Sequence, residues 1–146
     1  MKLSLTQKQI IGALGEDIAS KYLVGKGFGL IARNYRKKCG EIDIVAEKSG
    51  LIHFVEVKTV SCENLPPAGI TESDSFRAED NVHPWKQKRL SRVIQVYLSD
   101  NKLGEETDWK FDVITVLLDE KSKIARVKLL EDIILGIKFI FFRLLC

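Results

Sequence analysis

The sequence predicts an α/β domain in which helices cover a mixed β-sheet. Three observations predict it. Residues 6–26 and the segment from Pro84 to Leu98 repeat apolar residues at helical spacing. The runs Glu41 to Ala46 and Leu51 to Lys58 alternate apolar and polar residues on either side of turn chemistry. A nearly unbroken apolar run, "WKFDVITVLL", reads as a buried strand. The resulting order, α-β-β-β-α-β-β, calls for helices layered on a mixed sheet.

The first helix rests on Ile11, Leu14, Ile18 and Tyr22, and Gly25 and Gly27 stand where it stops. "FGLIARNY" is a short strand, and "RKKCG" a basic turn. "EIDIVA" places Ile42, Ile44 and Ala46 on one face and Glu41, Asp43 and Val45 on the other. After the turn "EKSG", the run "LIHFVEVKT" places Val55 and Val57 on one face and Ile52, Phe54, Glu56 and Lys58 on the other. The two runs form a β-hairpin. Residues 61–83 show no period and read as a long polar loop. Pro84 suits the first position of a helix whose stripe is Leu90, Val93, Ile94, Tyr97 and Leu98. "IARVKLL" follows the buried strand as a further strand. The boundaries expected are one domain over 1–132 and an apolar tail over 133–146.

At 146 residues the chain can bury one sizeable core. Its opening residues lack the apolar stretch of a signal peptide, and no apolar run is long enough to span a bilayer. Cys39, Cys62 and Cys146 form no CxxC pair, so neither a disulfide framework nor a zinc site is indicated, and a reducing cytoplasm is the simplest setting. The net charge is +3, but the 61–83 loop carries −4, which leaves +7 on the rest of the chain. That balance suits an anionic partner.

Four charges interrupt the hairpin: Glu41, Asp43, Glu56 and Lys58. With a symmetric four-residue turn over Glu47 to Gly50, all four project from one side, and Asp43 and Glu56 become diagonal neighbours. An odd-length turn would put them on opposite faces. Two carboxylates on adjacent strands suit Mg²⁺, which takes oxygen ligands and is often shared with substrate phosphate. Lys58, two residues past Glu56, would add an ammonium to orient water or meet transition-state charge. The same pattern also describes a wet strand face with cross-strand ion pairs. Against that stand the apolar context of "FVEVKT" and the basic residues of neighbouring segments.

"GEIDIVAEKSGLIHFVEVKT" resembles the core of the YraN-like bacterial proteins, a group assigned to the restriction endonuclease-like fold with its PD-(D/E)xK nuclease signature. The resemblance extends through "GALGEDIASKYLVGKGFGLIARNYR", "KQKRL" and "KFDVITV", roughly residues 10–118, and reaches more distantly to archaeal Holliday junction resolvases. It implies a restriction endonuclease-like mixed β-sheet flanked by α-helices, with an αβββαβ core. It implies a Mg²⁺- or Mn²⁺-dependent deoxyribonuclease acting on DNA, structure-specific on junctions or flaps. Asp43, Glu56 and Lys58 would be catalytic, and Asp43, Glu56 and Glu16 would hold the metal. Lys86 matches a family lysine opening the second helix. Val60 departs from the pattern, standing where the family usually has arginine. The alternative is a nucleic-acid-binding module that keeps the fold and cleaves little.

Other residues were weighed beside these. Arg33, Arg36, Lys37 and Lys38 form a basic patch suited to phosphate contact or to a solvated loop. Glu16 also reads as a boundary glutamate, and Lys86 as a first-turn lysine over apolar surface. His53 alternates away from the acidic face and reads as a packed or hydrogen-bonded histidine. The tail "IILGIKFIFFRLLC" suits packing on the domain or on a homodimer partner, with a membrane-surface helix as the lesser reading. A plain interaction domain using that tail is a third reading.

Overall fold

A computed structural model describes residues 4–63, 65 and 84–133, with the backbone alone for 84–86. The Lys86 side chain, nearly all of the polar loop and all but the first residue of the apolar tail lie outside the described residues. The elements run α1 (Gln7–Gly25), β1 (Gly29–Lys37), β2 (Gly40–Lys48), β3 (Leu51–Ser61), α2 (Pro84–Asp100), β4 (Trp109–Asp119) and β5 (Ile124–Leu130). The fold is α/β. One five-stranded sheet in the order β1-β2-β3-β4-β5 has β3 at its centre. Only the β3–β4 pair is parallel, as expected where a helix supplies the crossover.

The two helices cover opposite faces. Leu90, Val93, Ile94, Tyr97 and Leu98 of α2 pack on Ile42, Val45, Phe54, Phe111 and Val113. Ala19 and Leu23 of α1 pack with Phe28 on Ile44, Ala46, Val55, Ile114 and Val116. β3 obeys its sequence pattern, with Val55 and Val57 towards α1 and Ile52 and Phe54 towards α2. Among the described residues no helix is long and apolar enough to cross a membrane.

Three sequence expectations need correction. The hairpin turn has two residues, because Lys48 pairs with Leu51 and Ala46 with His53. Ser49 and Gly50 both have positive φ, +53° and +76°, the turn whose twist matches antiparallel strands. The register therefore moves by two residues, an even step that by itself swaps no face. Ile42 leaves the face of Ile44 and Ala46, which pack beneath α1, and joins Val45 beneath α2. Finally, α1 does not bury Leu14, which is 42% exposed; its buried line is Gly15, Ala19, Ser20 and Leu23. A side chain at Gly15 would place its Cβ only 1.7 Å from Thr59 Oγ1. The helix therefore lies on β3 along its small residues, and its larger apolar residues flank that line.

Thr6 caps α1, and its hydroxyl accepts from the Gln9 N–H while the Gln9 side chain returns a bond to the Thr6 N–H. α2 also lies close on the other side, since a Cβ at Gly40 would sit 3.1 Å from the Arg89 carbonyl oxygen. Both helices are thus drawn tightly onto the end of the sheet where β2 begins.

Candidate functional site

At that end the regular alternation of β1 and β2 breaks. Ala32 and Tyr35 of β1 both pack towards α2, as do Ile42 and Val45 of β2. Residues three apart on a regular strand face opposite ways, so each strand crosses over between them. In β1 the crossover falls at Asn34, whose φ is +52°, a conformation asparagine tolerates better than most residues. The neighbouring pairs, Arg33 with Ile44 and Tyr35 with Ile42, put Asp43 beside it. The β2–β3 ladder ends at Ile44 and Val55, and its register continued by one step brings Asp43 opposite Glu56. Instead of a ladder bond, the Val57 N–H donates to Asp43 Oδ2 at 2.8 Å.

Around this defect the carboxylates gather. One oxygen from each of Glu16, Glu41 and Asp43 lies within 4.8 Å of the others. Gly15 explains the reach of Glu16, because its contact with Thr59 sets the next residue of α1 over the strand ends. The Asn34 amide nitrogen, oriented by its neighbours, donates to Glu16 Oε2 at 3.1 Å and to Glu41 Oε1 at 3.3 Å. Glu56 is buried at 8% exposure. Together with Asp43 it lines two cavities, one on each side of the sheet end. The first, about 360 Å³, is bordered by Arg36, Lys37, Glu41 and Arg89. The second, about 510 Å³, is bordered by Lys8, Glu16, Thr59 and Ser61.

The electrostatics follow from burial and like charge. Burial, with the charge of Glu56 next, pushes the Asp43 carboxyl up to about 8 despite the Val57 hydrogen bond. Glu16 is raised for the same leading reason, desolvation, against the opposing Asn34 hydrogen bond and Arg33 charge. Arg33 and Arg36 reach two of these carboxylates, Glu16 at 3.8 Å and Glu41 at 3.2 Å. The donors are all oxygen, which suits a hard divalent ion such as Mg²⁺ or Mn²⁺ rather than a thiolate- or imidazole-seeking metal.

The sequence-expected residues divide as follows. Asp43 and Glu16 converge with Glu41, whereas Glu56 stands outside that group and lines both cavities with Asp43. Lys58 follows Glu56 on β3, pairs with Thr115 and is partly exposed; by alternation it takes the same side of the sheet as Glu56. The basic patch is less open than its sequence suggests. Arg33 pairs with Asp17 at 2.9 Å and with Glu16 at 3.8 Å, Arg36 with Glu41 at 3.2 Å, and Lys37 with Asp100 at 3.1 Å. Lys38 is exposed in the β1–β2 turn. His53 is packed and bonded as expected. It is buried edge-on against Phe28, with Nδ1 2.5 Å from Asp112 Oδ2. Sequence reasoning missed Asn34, and it noted Glu41 among the four hairpin charges without giving it a ligand role. Glu41 carried a usable signal, lying two residues before Asp43 on an alternating run. Asn34 carried only its tolerance of positive φ.

The class defined by this fold and site is an α/β domain with a mixed sheet between two helices and an acidic cleft at one sheet end. The match to known proteins is specific: the model of the uncharacterised protein family UPF0102 covers residues 15–116, and the chain belongs to that family. It is 44% identical to a UPF0102 protein of Alkaliphilus oremlandii over 77% of this chain and 88% of the relative. It is 36% identical to one from Chloroherpeton thalassium over 84% of this chain and 86% of the relative. The matched span contains every acidic residue of the cleft.

Proposed function

We propose that the chain is a Mg²⁺- or Mn²⁺-dependent endonuclease that hydrolyses DNA phosphodiesters, with junction or flap DNA as the substrate class. The observation that carries the reading is the convergence of Glu16, Glu41 and Asp43 within 4.8 Å beside buried Glu56. A divalent ion would offset the repulsion that Asn34, Arg33 and Arg36 offset only in part. The PD-(D/E)xK pattern of Asp43, Glu56 and Lys58 supports the same reading. Glu16, Asp43 and Glu56, with Glu41, would hold the ion. When bound, such an ion acidifies a water and offsets charge on a phosphoryl oxygen.

The chain's own groups do the rest. The Val57 N–H fixes the Asp43 carboxylate, so that ligand is preorganised rather than recruited. Lys58, two residues past Glu56 on β3, would supply an ammonium that orients the attacking water and meets the developing negative charge. Arg36, Lys37 and Arg89 border the cavity that also holds Asp43 and Glu56, and they receive the sugar–phosphate backbone.

A second reading, a nucleic-acid-binding module with little cleavage, draws on the arginines that turn back to the carboxylates and on Val60 in place of a cation. The deciding experiment is single-turnover cleavage of duplex, flap, single-stranded and four-way junction DNA with Mg²⁺ and with Mn²⁺. Lys58→Met is expected to keep metal binding while cutting the cleavage rate by about a hundredfold or more. Full cleavage by that variant removes Lys58 from the mechanism. No cleavage of any substrate by the wild type, with DNA binding intact, selects the second reading.

A further inference from the structure

We infer that Arg36 is an internal counter-ion of the acidic cluster that a divalent ion displaces, so that metal loading releases this arginine to grip a phosphate. The inference rests on the metal-dependent reading above and concerns the regulation of that site. Glu41 is one of the three carboxylates that converge, and it is also the carboxylate that Arg36 Nε holds at 3.2 Å. One carboxylate cannot serve both cations at full strength. Turning Glu41 to a divalent ion lengthens or breaks its contact with the guanidinium.

Arg36 is suited to leave. Its side chain is 71% exposed, so release costs little packing. An exposed ion pair of this kind holds weakly, by far less than a coordinated divalent ion gains. It also has somewhere to go, for Arg36 borders the cavity that holds Asp43, Glu56, Lys37 and Arg89. The other cations nearby are arranged differently. Arg33 keeps its 2.9 Å partner Asp17 whether or not Glu16 turns away. Lys37 pairs with Asp100, outside the cluster. Arg36 therefore differs from Arg33 and Lys37, each of which pairs with a carboxylate outside the cluster, in that the ion pair it makes is with a member of the cluster. Metal and polyanion then bind with positive coupling that does not depend on the metal touching the phosphate, and coupling of this kind is reciprocal.

The test uses the full chain and two probes, Mn²⁺ alone and a labelled DNA duplex. By calorimetry without DNA, Arg36→Gln is expected to tighten Mn²⁺ binding about two- to fivefold, the fold-change that corresponds to losing an exposed ion-pair competitor. In a Glu41→Gln background the same substitution is expected to change nothing, because the competed carboxylate is gone. Equal tightening in both backgrounds would mean simple long-range repulsion and would overturn the inference. The duplex titration adds a readout of the released side chain. In saturating Ca²⁺, Arg36→Gln is expected to flatten the dependence of log affinity on log salt by about 0.9, one phosphate contact. With chelator present it is expected to leave the slope as in the wild type. The same flattening with and without Ca²⁺ would show that Arg36 is always available and sink the idea. The two levels of failure are separable. A wild type that binds no Mn²⁺ overturns the metal reading and this inference together, whereas Mn²⁺ binding indifferent to Arg36 overturns this inference alone.

Discussion

Asp43→Asn isolates the electrostatic cost at the centre of the cleft. Asp43 carries a folded-state carboxyl raised from 3.8 to about 8 by burial and by Glu56. For an acid raised in this way, the folded chain holds a proton that the unfolded chain has released at every pH between those two values. Stability is fully present below about 3.8 and is lost as pH rises towards about 8, at up to about 1.4 kcal/mol per pH unit. The metal-free wild type should therefore lose about 3 kcal/mol between pH 5 and pH 7 from this residue. Asparagine carries no titrating proton, and its Oδ1 still accepts the Val57 N–H that Asp43 Oδ2 accepts at 2.8 Å. Its amide nitrogen replaces repulsion towards Glu56 with donation. The variant should be more stable than the wild type at pH 7 by about 2–4 kcal/mol, the range allowing for water entering an open cleft. The assay is urea unfolding followed by circular dichroism at each half pH unit from 5 to 8, in chelator and in Mn²⁺. Mn²⁺ should stabilise the wild type and leave the variant unmoved. Two curves that run parallel from pH 5 to 8, or a variant destabilised by a constant amount, would refute the reasoning, since either outcome means Asp43 is ionised at little cost.

Two further predictions test the supports of the site. Gly15→Ala should destabilise the protein by about 1–3 kcal/mol, the usual cost of overpacking, because the new Cβ would lie 1.7 Å from Thr59 Oγ1; thermal melts should show partial rescue by Thr59→Ala, and no loss in the single variant would mean that α1 does not lie on β3 as described. His53→Ala should cost about 1–3 kcal/mol, the scale for leaving a buried polar group without its hydrogen-bond partner. Asp112 is fully buried and, among the described residues, would keep the Asp132 N–H at 2.9 Å; a shift under about 0.5 kcal/mol in denaturant unfolding would show that this pair is dispensable.

How much of this was legible in the sequence depends on how local its cause was. Both helices, the hairpin and the last two strands follow from apolar spacing, which registers the side of each element that must leave water. The inward face of β3 was readable because alternation along a central strand is decided residue by residue. The acidic pair and its lysine stood out because charge inside such a strand has no packing role. The turn was misjudged by two residues, since "EKSG" offers turn chemistry at all four positions and only backbone twist selects the two at Ser49 and Gly50.

Three things were decided by tertiary structure alone. The helix α1 turned its small residues inward, because a closely approaching helix is limited by the atoms at its contact, here Gly15 against Thr59, and not by its most hydrophobic stripe. The crossover at Asn34 and Asp43 arises from two neighbouring strands breaking alternation together, a cooperative event that no single strand's pattern records. The meeting of Glu16 with Glu41 and Asp43 joins residues more than twenty positions apart in the chain. The sequence by itself determined which residues carry charge and which elements carry them. Only the packing of two helices against one sheet end decided that those charges share a single cleft, because convergence depends on the angles and distances between elements, and those are set by the shapes of the side chains between them.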